Sequence, residues 1–347
     1  MVVYSDSFHK NNIIGSVNDN ILQRLTTQLN SRDLLIETTW LHCGGPKHQT
    51  PWNKNLHFLE LFHKPIDRVI LYSGIDYNFP YLGNHNGFKD FISNFNHILI
   101  GNHWGTYYFS YWLEFFDKVF NYRIPFNVYN VNKNIKTYMC LNRKPHFHRQ
   151  FLLQKIYDKR LDKYGIISLG KILEHDDKIF QYDTPIPLKY DIKDTLGDGC
   201  AYGSNSFSNN ITSIGSEINW NNHFLNIVTE TDFNTDSSFI TEKTLKPIIG
   251  RRPFVILGDT KVYNILDKWG IDTFDDLFGK ELRNTEMLDI KVKVITSIIE
   301  NFSKENSLDK LLLSLKPRLE ENVKALEKAI IENSYKIDNL FRANKLI

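Results

Sequence analysis

The sequence predicts an α/β protein made of two Rossmann-like domains facing a cleft, with helices closing the chain. Three observations carry that expectation. Short apolar runs alternate with helical patterns in both halves, the signature of parallel sheets joined by crossover helices. The pattern pauses in a largely polar stretch at residues 121–134 that carries Pro125, and then restarts. At 347 residues the chain also exceeds what one hydrophobic core usually organises. The expected division is therefore residues 1–130 and 131–347, with ligands at the carboxyl ends of the strands.

In the first half, residues 34–37, 68–73, 97–101 and 126–129 read as strands, and 106–120 as a helix ended before Pro125. In the second, 137–141 is a strand. Residues 146–163 form an amphipathic helix with Phe151, Leu152, Ile156 and Leu161 at helical spacing, and 165–169 is the next strand. Residues 171–220, rich in Asp, Asn, Ser and Gly, form an irregular excursion. The pattern resumes with a strand at 224–228, a helix at 241–249, a strand at 253–258 and a helix at 262–268. Helices from residue 288 onward close the chain, with Leu319, Val323, Leu326 and Ile330 on one face. There is no internal repeat. The aromatic run Trp104, Tyr107, Tyr108, Tyr111 and Trp112 reads as core at helical spacing, with stacking on sugars or bases as the alternative.

Composition narrows the classes. An apolar fraction of 41% with 14% aromatics excludes general disorder. A net charge of +2 is too small for a general nucleic-acid footprint, though it leaves a local basic groove open. Cys43, Cys140 and Cys200 are an odd number with no C-x-x-C pair, which speaks against a disulfide framework or a cysteine zinc site and suits a reducing compartment. The opening Met1-Val-Val-Tyr-Ser-Asp lacks a basic region followed by an apolar one, and no apolar run approaches the roughly 20 residues of a membrane helix. The expectation is a soluble cytoplasmic protein, in a host cytoplasm if viral. The bias toward Asn, Lys, Ile, Phe and Tyr suits an AT-rich genome, whether of a virus, a phage or a bacterium.

Two segments carry chemistry. From Ile227 to Gly258 a buried strand runs into an acidic, polar loop containing Glu230. Thr241-Glu242-Lys243 then opens a helix that Gly250 ends, and Pro253 starts the next strand. Thr241 is a plausible N-cap, and the helix start offers free N–H groups and a positive dipole end to a phosphate. Lys243 adds a full positive charge, and Glu242 offers an acceptor pair suited to the hydroxyls of a ribose. The alternative is a simple cap with a solvated charge pair. The second segment, from Tyr138 to Arg149, ends a strand and places Arg143, Lys144 and Arg149 in or beside the loop that a doubly wound domain presents to its ligand. Arginine can grip a diphosphate bidentately. The alternative here is an ordinary basic surface loop. His146 and His148, two apart, are a poor zinc pair.

Together these segments resemble the α1,3-fucosyltransferase family and its looser relatives in phages and giant viruses. That family carries E-N-S, then Y-(I/V)-T-E-K, then a helix, a glycine three before a proline, and a further glycine. The matching residues are Glu230, Thr241, Glu242, Lys243, Gly250, Pro253 and Gly258, with Asn142 and Arg149 answering an upstream pair. The resemblance covers about residues 137–170 and 224–278 and leaves the first half unmatched. It implies a GT-B architecture whose C-terminal domain holds a nucleotide-sugar donor. By that carry-over Arg149 and Lys243 hold the diphosphate, Glu242 the ribose, and Glu230 lies near the transferred sugar. Two departures put the sugar identity in doubt: Glu230-Thr231-Asp232 replaces E-N-S, and Phe239 stands where the family has Tyr.

The implied activity is a metal-independent, inverting transfer to an acceptor hydroxyl, either on a glycan or on a hydroxymethylated pyrimidine of phage-type DNA. The rival from another class is a non-catalytic carbohydrate- or nucleic-acid-binding protein derived from such an enzyme. No D-x-D pair with an apolar lead is present to hold Mg²⁺ or Mn²⁺, so no cofactor is expected and Arg149, Lys243 and the helix terminus must meet the leaving charge. Inversion needs a base from the first half. Asp76, after the strand at 68–73, is the first candidate, followed by His103 and Glu60. Asp76→Asn should leave donor binding intact and lower transfer by ~10²-fold or more. Normal transfer by Asp76→Asn beside a dead His103→Ala or Glu60→Gln would hand the role to that residue.

Overall fold

The computed structural model describes residues 2–5, 33–37, 68–73, 96–102, 107–109, 113, 124, 126–142, 145–170, 188–193, 214–231, 233 and 240–343. The chain divides into two compact units, Met1–Val119 with Ile330–Ile347, and Phe120–Ala329. The first unit contains five parallel strands, β1 (Val2–Ser5), β2 (Asp33–Glu37), β3 (Arg68–Ser73), β4 (Asn96–Asn102) and β5 (Tyr107–Phe109), in the order β1-β2-β3-β4-β5. At the start of the β2–β3 pairing, Arg68 grips Asp33 with Nε on Oδ1 at 3.0 Å and Nη2 on Oδ2 at 2.6 Å.

One expectation fails in this half. Residues 107–109, expected within a helix, pair with β4 instead; three consecutive aromatics prefer an extended backbone, which overrides the helical spacing. β1 escaped the sequence reading altogether. Its described strand order also lacks the reversal that a doubly wound sheet has.

The second unit is α/β, with a four-stranded parallel sheet and helices, compatible with a Rossmann-like fold. Residues 126–129, expected as a strand, form a turn in which the Asn127 side chain accepts from Tyr129 N at 3.0 Å, the local bond by which Asn favours turns. β6 (Lys136–Asn142) leads into α1 (Phe147–Asp158) and β7 (Gly165–Leu169). α1 stops well short of residue 163, since Arg160 turns left-handed at φ 56°. The short α2 (Glu217–Trp220) precedes β8 (His223–Thr229), then come α3 (Glu242–Ile249), β9 (Phe254–Leu257) and α4 (Lys261–Trp269). α5 (Asp275–Phe278), α6 (Glu281–Asn284), α7 (Leu288–Phe302), α8 (Leu308–Ser314) and α9 (Lys316–Ala343) follow. No helix among the described residues is long and apolar enough to cross a membrane.

The strand order is β7-β6-β8-β9, with every pair parallel. The chain therefore steps from β6 outward to β7, then returns past β6 to lay down β8. A reversal of this kind marks the carboxyl ends of the flanking strands, here β6 and β8, as the place where ligands of open α/β sheets generally bind. β8, inside the sheet, and β9, at its end and packed against α6 and α7, are buried along their whole lengths. α7 packs against α1, β6 and β9.

At the opposite edge, buried Arg252 donates to the carbonyls of Val128, Trp220, His223, Gly250 and Arg251, joining the segment before β6 to the start of β8. Gly250 is required by proximity, since a Cβ there would meet the Trp220 ring at 2.3 Å. His223 Nδ1 donates to Asn219 O at 2.7 Å, and Nε2 accepts from the Asn226 amide at 3.1 Å. The ring is thus held neutral, and burial, aided by the Arg252 charge, pushes its pKa down to about 3 from 6.5. Because the folded value lies below the unfolded one, the unfolded chain takes the proton first. This group should leave stability unchanged above pH 6.5 and erode it by about 1.4 kcal/mol per unit as pH falls below that. Urea midpoints between pH 7 and pH 5 should show the slope, smaller in His223→Gln; an equal slope in the variant would place its source elsewhere.

Candidate functional site

The site grows from the carboxyl ends of β6 and β8. Asn142 closes β6 and is buried; its Oδ1 accepts from Thr229 Oγ1 at 2.5 Å, which ties the ends of the two strands together. Glu230 follows β8 and is 0% exposed. A buried carboxylate is tolerable only where donors surround it, and four do. Oε1 accepts from Thr241 N at 3.1 Å and Thr244 Oγ1 at 2.5 Å; Oε2 accepts from Thr241 Oγ1 at 2.7 Å and Thr231 N at 3.3 Å. Glu230 therefore docks the N-terminus of α3 onto the end of β8. Gly258 leaves room for it, since a Cβ there would lie 3.3 Å from Glu230 Cβ.

Thr241 is the N-cap that the sequence reading placed there, with Oγ1 accepting from Lys243 N at 3.2 Å. Lys243 Nζ donates to Glu242 Oε1 at 2.8 Å, Thr231 Oγ1 at 3.2 Å and Thr241 Oγ1 at 3.3 Å, which uses all three of its donors. Glu242 is buried, and its Oε2 has no hydrogen-bond partner among the described residues. Burial would raise the Glu242 pKa, but the charges of Lys243 and Lys246 and the hydrogen bond from Lys243 outweigh it and hold the carboxyl below its ordinary value. The group is thus an ionised acceptor with one oxygen to offer.

Arg149 lies buried on α1, with Nη2 donating to Thr229 O at 3.2 Å and Glu230 O at 3.0 Å. It orients the end of β8. His148, considered only as half of a zinc pair, donates from Nε2 to Glu230 O at 2.8 Å and stacks on Phe233 with ring centroids 5.8 Å apart. The structure therefore brings together Asn142, Arg149, Glu230, Thr241, Glu242 and Lys243. Arg143, Asp76, His103 and Glu60 lie outside the described residues. Among the described residues no group of three His, Cys, Asp or Glu is placed to hold a metal ion.

Three residues escaped the sequence reading. Thr244 lies one turn after Thr241 and was legible as a second hydroxyl on the face toward Glu230. Lys291, on the first turn of α7, is fully buried, and its Nζ donates to Gly258 O. Burial lowers its pKa, while the charges of Glu286 and Asp259 act in the other direction. Phe233 lies between His148 and Lys291, its ring 5.5 Å from Lys291 Nζ. Nothing local in the sequence ties either residue to Glu230. Comparisons with protein-family models, curated proteins and solved structures return no match.

Glu230→Gln keeps the volume of the side chain but turns one acceptor oxygen into a donor facing other donors. It should lower stability by about 1–3 kcal/mol, the usual effect of stranding a buried partner. The Thr241 amide should also exchange faster with deuterium. A variant as stable as the parent, with unchanged Thr241 exchange, would remove Glu230 as the organiser of the helix start.

Proposed function

We propose that the chain is a glycosyltransferase of GT-B type that moves a sugar from a nucleoside-diphosphate sugar to an acceptor hydroxyl, without a metal and with inversion. Its donor half is the second unit. The observation that carries the reading is the buried, ionised Glu242, with one oxygen unpartnered among the described residues, at a helix start beside the strand reversal. An acceptor-only carboxylate in that setting suits the vicinal hydroxyls of a ribose. The adjoining helix dipole and Lys243 suit a diphosphate.

In this reading Glu242 orients the ribose. Lys243 exchanges a contact to Thr231 or Thr241 for a phosphoryl oxygen, so its charge meets the leaving group as the glycosidic bond breaks. Arg149 holds the strand end against which the donor lies. The acceptor is a glycan hydroxyl or a hydroxymethylated pyrimidine in DNA.

A panel of nucleotide sugars offered to the purified protein, with released nucleotide followed by mass spectrometry, tests the reading. One donor should be hydrolysed slowly, and turnover should persist in excess EDTA. Glu242→Ala and Lys243→Ala should each lower kcat/KM by roughly ten-fold or more, as expected for a lost hydrogen bond to a charged group. Binding without turnover on any acceptor would favour the non-catalytic alternative. Activity lost on chelation and restored by Mn²⁺ would reveal a metal site.

A further inference from the structure

The cations at the carboxyl end of the sheet are not equally engaged. Lys243 has all three ammonium donors on protein oxygens, and Arg149 turns Nη2 onto two carbonyls. Lys291 differs. Its side chain is 0% exposed, and it has one hydrogen-bond acceptor among the described residues, Gly258 O. Its ion pair among the described residues is long, 3.9 Å to Glu286 Oε2, on a carboxylate that is 55% exposed and occupied with Thr260 N and Oγ1. An ion pair with so exposed a partner is weak, whereas burying an ammonium costs several kcal/mol. The Phe233 ring, 5.5 Å away, offers a cation–π contact that offsets only part of that. Two of the three N–H groups thus have no acceptor among the described residues.

The placement gives that excess charge a purpose. Gly258, which receives the Lys291 hydrogen bond, is the residue that backs onto Glu230. Phe233, against the ammonium, stacks on His148, whose Nε2 donates to Glu230 O. The ammonium therefore sits at the carboxyl end of β9, one strand over from Glu230, on the side away from β6. A structural lysine would be closed into a tight ion pair, as Arg318 is with Asp272 and Asp276 at 2.7 Å.

We propose that Lys291 is a ligand-binding residue of the same site, whose ammonium receives a phosphoryl oxygen of the bound nucleoside diphosphate. The inference rests on the nucleotide-sugar reading above and adds a contact to it. Lys243 must surrender a protein contact to meet a phosphate, whereas Lys291 has two N–H groups without an acceptor among the described residues. Glu286 and Asp259 are the carboxylates whose charges act on the ammonium, and an added anion must approach it against them.

The test uses the full chain, inorganic pyrophosphate and a set of nucleoside diphosphates with their free nucleosides, by titration calorimetry. Lys291→Met keeps length and removes the charge. It should weaken pyrophosphate and nucleoside diphosphate by roughly ten-fold or more, leave nucleoside affinity unchanged, and be largely rescued in Lys291→Arg. Equal loss for nucleosides and diphosphates would mark a structural role and overturn the assignment, as would unchanged pyrophosphate affinity. A parent that binds diphosphates while Lys291→Met binds them equally well sinks only the lysine assignment. A parent that binds neither pyrophosphate nor any nucleoside diphosphate sinks the assignment and the donor-site reading together. Should Lys291→Met fail to fold, the lysine Nζ resonance of Lys291 in the parent must still shift when pyrophosphate is added; an unmoved resonance overturns the proposal.

Discussion

The carboxylate of Glu230 is the constraint on which the candidate site depends. A charge with no exposure must be met from every side, and the four donors that meet it come from Thr231, Thr241 and Thr244. Satisfying Glu230 therefore fixes the first turn of α3 relative to the end of β8, and with it the positions of Glu242 and Lys243. The carbonyl of the same residue accepts from His148 and Arg149, which ties α1 to the same point. A hydrophobic residue at position 230 would be easier to bury, but it would leave the start of α3 without an anchor and its threonine hydroxyls without acceptors.

That arrangement alters what the cations do. In the resemblance, Arg149 and Lys243 are phosphate ligands in the first instance. Here the Nη2 of Arg149 lies on the Thr229 and Glu230 carbonyls, and Lys243 bridges Glu242, Thr231 and Thr241. Both hold their own surroundings in place, and preorganisation of that kind is what makes a fixed dipole effective toward a developing charge. The oxygen that is not held is Oε2 of Glu242. An unmet acceptor and an under-coordinated ammonium at one sheet edge are complementary to a ligand carrying both hydroxyls and phosphates, which is how the chemistry of the edge and the proposed donor agree.

Much of the second unit was legible because its signals are local. The Thr241 cap, the helix that Gly250 ends and the buried strands around Ile227 and Val255 each follow from a few neighbouring residues. The Glu230–Thr244 bond needed only helical geometry once Thr241 was placed. Lys291 was illegible for a different reason: its partner, the carbonyl of Gly258, is a backbone group 33 residues earlier, and no side-chain pattern announces a backbone acceptor. In the first half, helical spacing misread Tyr107–Phe109, because the wider run Trp104, Tyr107, Tyr108, Tyr111 and Trp112 fits a helix face while the three adjacent aromatics favour a strand, and pairing with β4 decides between them.

The two sheets also differ in what their topologies permit. The order β1-β2-β3-β4-β5 advances in one direction, without a reversal among the described strands. The order β7-β6-β8-β9 reverses between β6 and β8, the kind of switch point at whose carboxyl strand ends ligands of open α/β sheets generally bind. Asn142 and Glu230 stand at those two strand ends, and Thr229 Oγ1 bridges to Asn142. The polar and charged groups without obvious structural need, Glu242 and Lys291, flank the same edge. A sheet that merely required burial would have filled these positions with apolar residues, as β9 does along its length. Polar and charged groups gathered at the carboxyl ends of β6 and β8, beside the strand reversal, are the physical reason to look for chemistry there.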